Sequence, residues 1–405
     1  MAILDATTFA GALKTLYPDW ALENMVFKNN PFLALVNKDE NFKGDQKKIP
    51  VIIGAPQNTS ADFSVAANSG SALATSSTIK AFFLTRVRKY ALAEISNEVM
   101  KASEGNEGAF IEAVKLEVDG AIRSLSNQLA FDVFQDGSGV VGQLTATSGV
   151  TTSITLADPT QATMLEIGMP LRFSTVNTGA SLKTGTLRIA GINRVTGVVT
   201  LDASGATLTP VLAVNDYVLI SGNQAAGMKG LAAWIPSTAP TSGDSFFGVD
   251  RSVDSRLFGI YVDKSATPIE EAILDADMLV ATAGGSADTL IVNPVQYAAL
   301  AKSLGSRIIF QQLKVGGVGF QTFEIQGQNG PIKVLSDRGC PKTDGYLLSL
   351  EHLKMCTLGK IVEVYSGDGL QMLRSTTSDS VRVQVNHYGN LACTAPGWQC
   401  RIKLA

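Results

Sequence analysis

The stretch EGAFIEAVKLEVDGAIRSLSNQLAFDVF, residues 107–134, constrains the fold more than any other part of the chain. Phe110, Val114, Val118, Ala121, Leu125, Leu129 and Val133 recur at three- and four-residue spacing and draw one apolar stripe along a predicted helix. At about 1.5 Å per residue such a helix runs roughly 40 Å, more than the width of a small domain. The residues before it read as extended β structure, and QDGSG (135–139) stops it with glycines that turn the chain. A long solitary helix between β-rich segments behaves as a strut, and its stripe is expected to lie on a β-sheet.

Composition narrows what the strut can serve. The chain has 405 residues, 45% hydrophobic and 17% charged, with a mean hydropathy of +0.17, which predicts two or three domains. So apolar a chain hides surface either against other subunits or in a large β-rich core, and composition leaves both open. A formal net charge of -3 and the lack of a Lys/Arg run argue against a dedicated nucleic-acid binder, though not against weak, diffuse contact. No run is long and apolar enough for a membrane span, and MAILDATTFAG lacks the basic start and apolar block of a signal peptide, so synthesis in the cytoplasm is expected. Cys340, Cys356, Cys393 and Cys400 show none of the short paired spacings of a zinc site and read as small buried hydrophobes.

In chain order, residues 1–45 read as a partly helical arm. Phe9, Leu13, Leu16, Trp20, Leu22 and Phe27 are broken up by Pro18 and Asn29-Asn30-Pro31 before they could form a domain, so the arm must pack on its own body or on a neighbour. KIPVII (48–53) and TIKAFFLTRVRKYAL (78–92) are strand signals of an extended hairpin. Between them, residues 54–79 carry one charge, Asp62, and cannot bury a core of their own. Residues 145–224 change character: strand signals at 152–156, 170–176, 185–194, 197–202 and 214–221 predict a small antiparallel barrel or sandwich, inserted as a unit. Thr267 as N-cap with Pro268 in the first turn predicts a helix, and TLIVNP (289–294) a buried strand leading into a second helix over 295–303, a step typical of an α+β domain. The remainder is predicted as strands at 331–335, 345–349, 354–358 and 361–365, a long one from Ser380 to about Ala392, and a last one near Cys400–Leu404.

No catalytic, cofactor-binding or metal-ligating set emerges. His352 and His387 are the only histidines, and neither has metal spacing. GGVG (316–319) follows no clear strand, opens no helix and lacks the Lys-Ser/Thr ending of a phosphate loop, so it reads as a flexible loop. An enzyme would have no candidate residues.

The order of these parts resembles the major capsid proteins of tailed bacteriophages, the Hong Kong 97-type fold. The carriers of the likeness are TIKAFFLTRVRKYALAEISNEVM (78–100), the long helix with FDVFQDGSG (131–139), KGLAAW (229–234), TLIVNPVQYAAL (289–300) and VQVNHYGNLACTAPGWQCRIKL (383–404). Together they span nearly the whole chain outside 145–224. The resemblance implies an α+β fold with an N-terminal arm (1–45), an extended loop (46–92), a peripheral domain (93–144 and 225–284) built on the spine helix 107–134, an inserted β domain (145–224), an axial domain (285–370), and a return strand with the last part of the peripheral domain (371–405). It further implies a non-enzymatic structural subunit of the virion, forming hexamers and pentamers of an icosahedral head in the host bacterial cytoplasm. A separate scaffolding protein, a portal and weakly contacted double-stranded DNA would be its partners, with no membrane and no cofactor. The structural residues are then the stripe Phe110, Val114, Val118, Leu125 and Leu129, and the inter-subunit candidates are Trp20, Phe27, Phe63, Phe82, Arg86 and Arg88.

Two departures from the family pattern stand out. Some members crosslink subunits through a lysine in the extended loop, but residues 54–79 contain none, so no such network is expected. The 145–224 segment is expected to project outward as a decoration or neighbour-contact domain. Within the same fold the rival is an encapsulin-type compartment, which would hold cargo protein in place of DNA. A carbohydrate-binding or adhesin-like protein is more remote; it would need an exposed aromatic platform, and Phe173 and Tyr217 are the only aromatics in 145–224.

Overall fold

The computed structural model describes residues 27, 30–54, 61–64, 77–96, 98, 107–146, 151–305, 310–315, 318–365, 373–374 and 378–405. The long helix spans Glu107–Asp132. Its final turn tightens, with Phe134 N–H bonding Phe131 O (3.0 Å) and Gln135 N–H bonding Asp132 O (3.0 Å), so the chain leaves in a 3₁₀-like turn. Val118, Ile122, Leu125, Leu129 and Val133 are fully buried and share a core with Ala93, Ile95, Val383 and Val385 of the sheet beneath them. Phe110 and Val114 belong to the helix, but their side chains lie outside the described residues.

That sheet is organised on the strand Ser380–Cys393, which pairs antiparallel with Val87–Ser96 from Ser380↔Ser96 to Gly389↔Val87, and farther along with Leu353–Thr357. Asn37–Asp39 adds a parallel edge on Leu353–Thr357, and Glu363–Val364 and Leu373–Arg374 also pair with the long strand. Residues 353–364 therefore belong to the sheet under the helix and not to the second sheet, which places the change of layer before residue 353 instead of near 370.

The second sheet has seven strands in the order Ile260–Asp263, Cys400–Lys403, Asp344–Leu348, Thr289–Val292, Pro331–Ser336, Val318–Gln326 and Phe310–Val315. Helices Ile269–Thr282 and Pro294–Leu304 pack on it through Ala272, Ile273, Ala276, Val280 and Leu300. Two sequence expectations change here. Pro268, not Thr267, takes the N-cap position, without a side-chain cap bond, while Thr267 N–H closes a turn onto Lys264 O (3.0 Å). The strand Phe310–Val315 does precede GGVG, and Val318 and Gly319 already belong to the next strand; FQQLKV lacks the apolar alternation that would have shown it.

Six strands between Val140 and Ile220 close into a barrel, because Tyr217–Ile220 pairs with both Val140–Ala146 and Pro170–Ser174. The first strand begins before residue 145. The interior is filled by Leu144, Ile154, Leu171, Phe173, Val199 and Val218, with Phe131 of the long helix packed against the same cluster. Chain entry and exit lie side by side: Ala225 N–H bonds Ser138 O (3.0 Å), and Gly139, at φ +81°, could not carry a Cβ without running into the Asn223 carbonyl. Beyond the exit, Leu231 N–H bonds Val133 O (2.8 Å), and a Cβ on Gly230 would strike that same carbonyl, so the returning chain is pressed against the end of the helix.

Candidate assembly surfaces

Residues 30–45 are built into this chain's own body. The short helix Pro31–Leu35 is buried, Phe32 stacks on Phe134 (5.3 Å between centroids), and Phe134 in turn meets Tyr346 (5.6 Å). The buried carboxylate of Asp337 accepts Phe32 N–H (3.1 Å) and Gly339 N–H (2.8 Å), which ties this helix to the turn after Pro331–Ser336. Burial outweighs those two bonds and pushes the Asp337 carboxyl up to about 6.

The hairpin Gln46–Gly54 with Thr78–Thr85 has two unlike faces. Ile49, Val51, Ile53, Phe82 and Leu84 are buried against the body, where Phe83 N–H bonds Phe247 O (2.9 Å) and Arg256 donates to Ile53 O. The other face presents Lys48, Pro50, Ile52 and Ile79, with the cross-strand pair Ile52↔Ile79 exposed at 64% and 57%. Neither strand has a further strand partner among the described residues. Phe63, nearer the tip, is 85% exposed.

The inter-subunit candidates therefore divide. Phe82 is fully buried between Trp234 (5.1 Å) and Phe246 (6.1 Å), and Phe27 is buried beneath the Lys38 ammonium (3.6 Å above its ring), so both are core groups of this chain and not free contacts. Their sequence signal, large aromatics in an arm and a hairpin, does not distinguish the face turned inward. Arg86 is engaged within the chain through Phe42 O (3.2 Å) and the Phe42 ring, while Arg88 and Phe63 face solvent. Trp20 lies outside the described residues. A further surface escaped sequence reading: an open groove of about 330 Å³ between Val87–Ser96 and the long helix, lined by Tyr90, Leu92, Glu117, Gly120, Ser124 and Gln128. Leu92 and Tyr90 alternate with buried Ala93 and Lys89, a two-faced strand signal that could have marked it.

The chemistry of the remaining groups is structural. His352 stacks on Trp398 (4.9 Å) with Nδ1 against Thr394 Oγ1 (3.2 Å). All four cysteines are buried and unbridged, and burial pushes the Cys393 and Cys400 thiols up to about 12, where they hold their protons. Among the described residues no cluster of His, Cys, Asp and Glu could hold a metal ion, and no helix is long and apolar enough to cross a membrane. In the barrel Phe173 is buried and the Tyr217 hydroxyl meets Gln143 Nε2 (3.3 Å), so neither ring forms a sugar-binding platform.

The described surfaces suit association with copies of the chain better than binding of a small molecule, and comparison with known proteins bears on which association. The sequence profile of a family described as SU10 major capsid protein matches residues 214–388. That match supports a phage major capsid protein. The subunit from the cyanophage A-1(L) capsid asymmetric unit shares its fold, at 13% identity and TM-score 0.52, with 92% of each chain covered. The capsid of a native GTA particle (10% identity, TM-score 0.45, 92% of this chain and 90% of that one) and the SrpI encapsulin of Synechococcus elongatus PCC 7942 (7%, 0.45, 100% and 96%) are more distant matches. No curated protein matches in sequence. The capsid protein thus has the Hong Kong 97-type fold and a structural, non-enzymatic role in the virion, and the family match favours a phage head over a cargo compartment.

Proposed function

We propose that this capsid protein assembles as hexamers and pentamers into an icosahedral head around double-stranded DNA, its hairpin lying over a neighbouring subunit. The observation carrying this is the hairpin's outer face: Ile52 and Ile79 sit together on a two-stranded ribbon with open edges. Such a surface is costly to leave in water and is stabilised by a partner. In this reading the body on the long helix is the peripheral domain, and the seven-stranded sheet with its two helices is the axial domain nearest the symmetry axes. Many modest contacts of this kind, repeated around a closed shell, hold it together without any one being strong.

The barrel is the outward module. Its closed sheet offers no edge to a neighbour, and its two connections to the body are adjacent, which is how a surface domain is added to a scaffold without disturbing it. A separate scaffolding protein and a portal complete the assembly, and DNA is met by weak, non-specific contact.

Electron microscopy of the expressed protein, alone and with a candidate scaffold, tests the proposal. Closed icosahedral shells are the expected result; a monomer under every condition overturns it. Replacing the barrel with a short glycine linker should leave shells that lack outer density at each subunit, and unchanged outer density would show the barrel to be elsewhere. Denaturing gels of mature shells should show no crosslinked ladder.

A further inference from the structure

The most exposed large apolar side chain among the described residues belongs to the barrel: Val195, at 87%, stands on the turn between Leu187–Asn193 and Val198–Leu201. Ile167, at 68%, is the next most exposed in the barrel and stands on the turn before Pro170–Ser174. Neither belongs to the barrel's own core. Both turns are fastened all the same. Asn193 Oδ1 accepts the N–H groups of Val195 (3.1 Å) and Thr196 (3.2 Å), and Gly197 N–H bonds Asn193 O (2.9 Å), so the first turn is closed at its base. In the second, Gly168 N–H bonds Ile189 O (2.8 Å). Arg194 Nη2 joins the two by donating to Leu165 O (3.0 Å) and Glu166 Oε2 (2.8 Å), so the apolar tips stand on neighbouring turns that are bonded to each other.

Size and charge decide what covers them. Two side chains offer far less than the roughly 1,200–2,000 Å² that a stable independent complex buries, so a partner arriving from solution would not stay. A partner already held alongside would, because tethering removes most of the cost of association. In a homo-oligomeric capsid the molecule held alongside every subunit is another copy. The ionic groups bordering the tips are one cation and one anion, Arg194 and Glu166, with side chains 43% and 55% exposed. A patch of two apolar tips with one charge of each sign complements itself after a half rotation: Arg194 meets the partner's Glu166, and Ile167 meets the partner's Val195.

We propose that Ile167 and Val195 form a two-fold symmetric contact between the barrels of two copies, with Arg194 and Glu166 at its rim. This rests on the shell reading above and adds to it a place where neighbouring rings of subunits touch. Contacts around a ring run head to tail, whereas a self-complementary patch joins its like across a two-fold axis, so the barrels meet between capsomers and not within one. Closure leaves the barrel no sheet edge to offer, and its turns are the surface that remains. Because those turns are already fastened, they lose little freedom on docking. The contact is weak taken singly and is repeated at every such axis of the shell.

Cysteine crosslinking tests the contact against a low background, since the four native cysteines are buried and unbridged. Full-length Ile167→Cys and Val195→Cys chains are co-assembled into shells and oxidised. Non-reducing gels should show a disulfide-linked dimer in the mixed shells, several-fold above the same mixture left unassembled and above shells of either variant alone. Shells without that dimer, or an equal dimer in the unassembled mixture, overturn the proposal and leave the shell reading standing; the absence of shells under every condition overturns both. Maleimide labelling of the mixed shells separates the alternatives: thiols that stay open show an uncovered patch, and thiols shielded without a dimer give the patch to a different partner, and either result overturns the contact. In parallel, Ile167→Ser with Val195→Ser should leave the melting temperature of the unassembled chain unchanged, because both side chains already face water, and should lower the denaturant concentration at which shells fall apart. Shells of undiminished resistance would overturn the proposal as well.

Discussion

The barrel closes on itself because Tyr217–Ile220 finds a partner on each side, whereas the hairpin of Gln46–Gly54 and Thr78–Thr85 stops at two strands with Ile52 and Ile79 in the open. Both are β structure attached to the same body, and both put apolar residues on alternate positions. The barrel turns every such residue into one shared interior, so its stability is its own. The hairpin buries one face against Trp234, Phe246 and Phe247 and leaves the other for something outside the chain. Closure separates a module that decorates from an element that must be completed by a neighbour.

The largest disruption should come from the body on which both depend. Val118→Asp places a carboxylate at a fully buried position of the long helix with no cation to meet it; a cost of roughly 4 kcal/mol or more should leave no folded soluble chain, as circular dichroism and gel filtration would show. Normal shells from that variant would mean the buried face is wrongly identified. Next, Phe173→Ala should cost the barrel roughly 3–5 kcal/mol. If the barrel is autonomous, calorimetry should show one transition falling while the body's stays in place; a common shift of both would dissolve the contrast.

The body also contains two opposed titrations. Asp337 rises from an ordinary 3.8 to about 6, so the folded state holds a proton the unfolded chain has lost, and stability declines as pH rises from about 4 to about 6. His387 falls from 6.5 to about 4, so the unfolded chain binds the proton first, and stability declines as pH falls over nearly the same window. Each amounts to roughly 3 kcal/mol, and in the wild type they should largely cancel. Asp337→Asn should therefore lose stability on acidification from pH 6 to 4, and His387→Gln should gain it, in denaturant melts. Parallel slopes in the two variants would refute the assignment.

The smallest effect on the isolated chain belongs to the hairpin. Ile52→Ser with Ile79→Ser should shift its stability by no more than about 0.5 kcal/mol, since both side chains already face water, yet should sharply reduce shell yield under the microscope. Undiminished shell yield would remove the hairpin's outer face from the assembly.

Where a pattern repeats along the chain, the sequence was a good guide. The three- and four-residue spacing from Val118 to Val133 marked the long helix and its buried side, and β-branched runs marked most strands of the barrel and of both sheets. It failed where neighbours distant in sequence decide. FQQLKV is a strand because Val318–Gln326 returns beside it, not because of its own composition. Phe27 and Phe82 carry the same signal as exposed Phe63 and end in the core, and nothing around Lys89 or Asp337 announces that either is buried. The exposed hairpin pair was legible only as alternation, without the sign that says which side faces out.

The sequence by itself determined the local elements and their order, because helix and strand periodicity depend on residues a few positions apart, and that order was enough to point to a capsid subunit. Only the tertiary structure decided that the strands from Val140 to Ile220 close, that Asp337 caps the helix at Pro31, and that Lys89, Asp132 and His387 lie buried where the helix end meets the sheet. Closure, burial and convergence depend on which distant segments share a layer, and that is set by packing the whole chain at once.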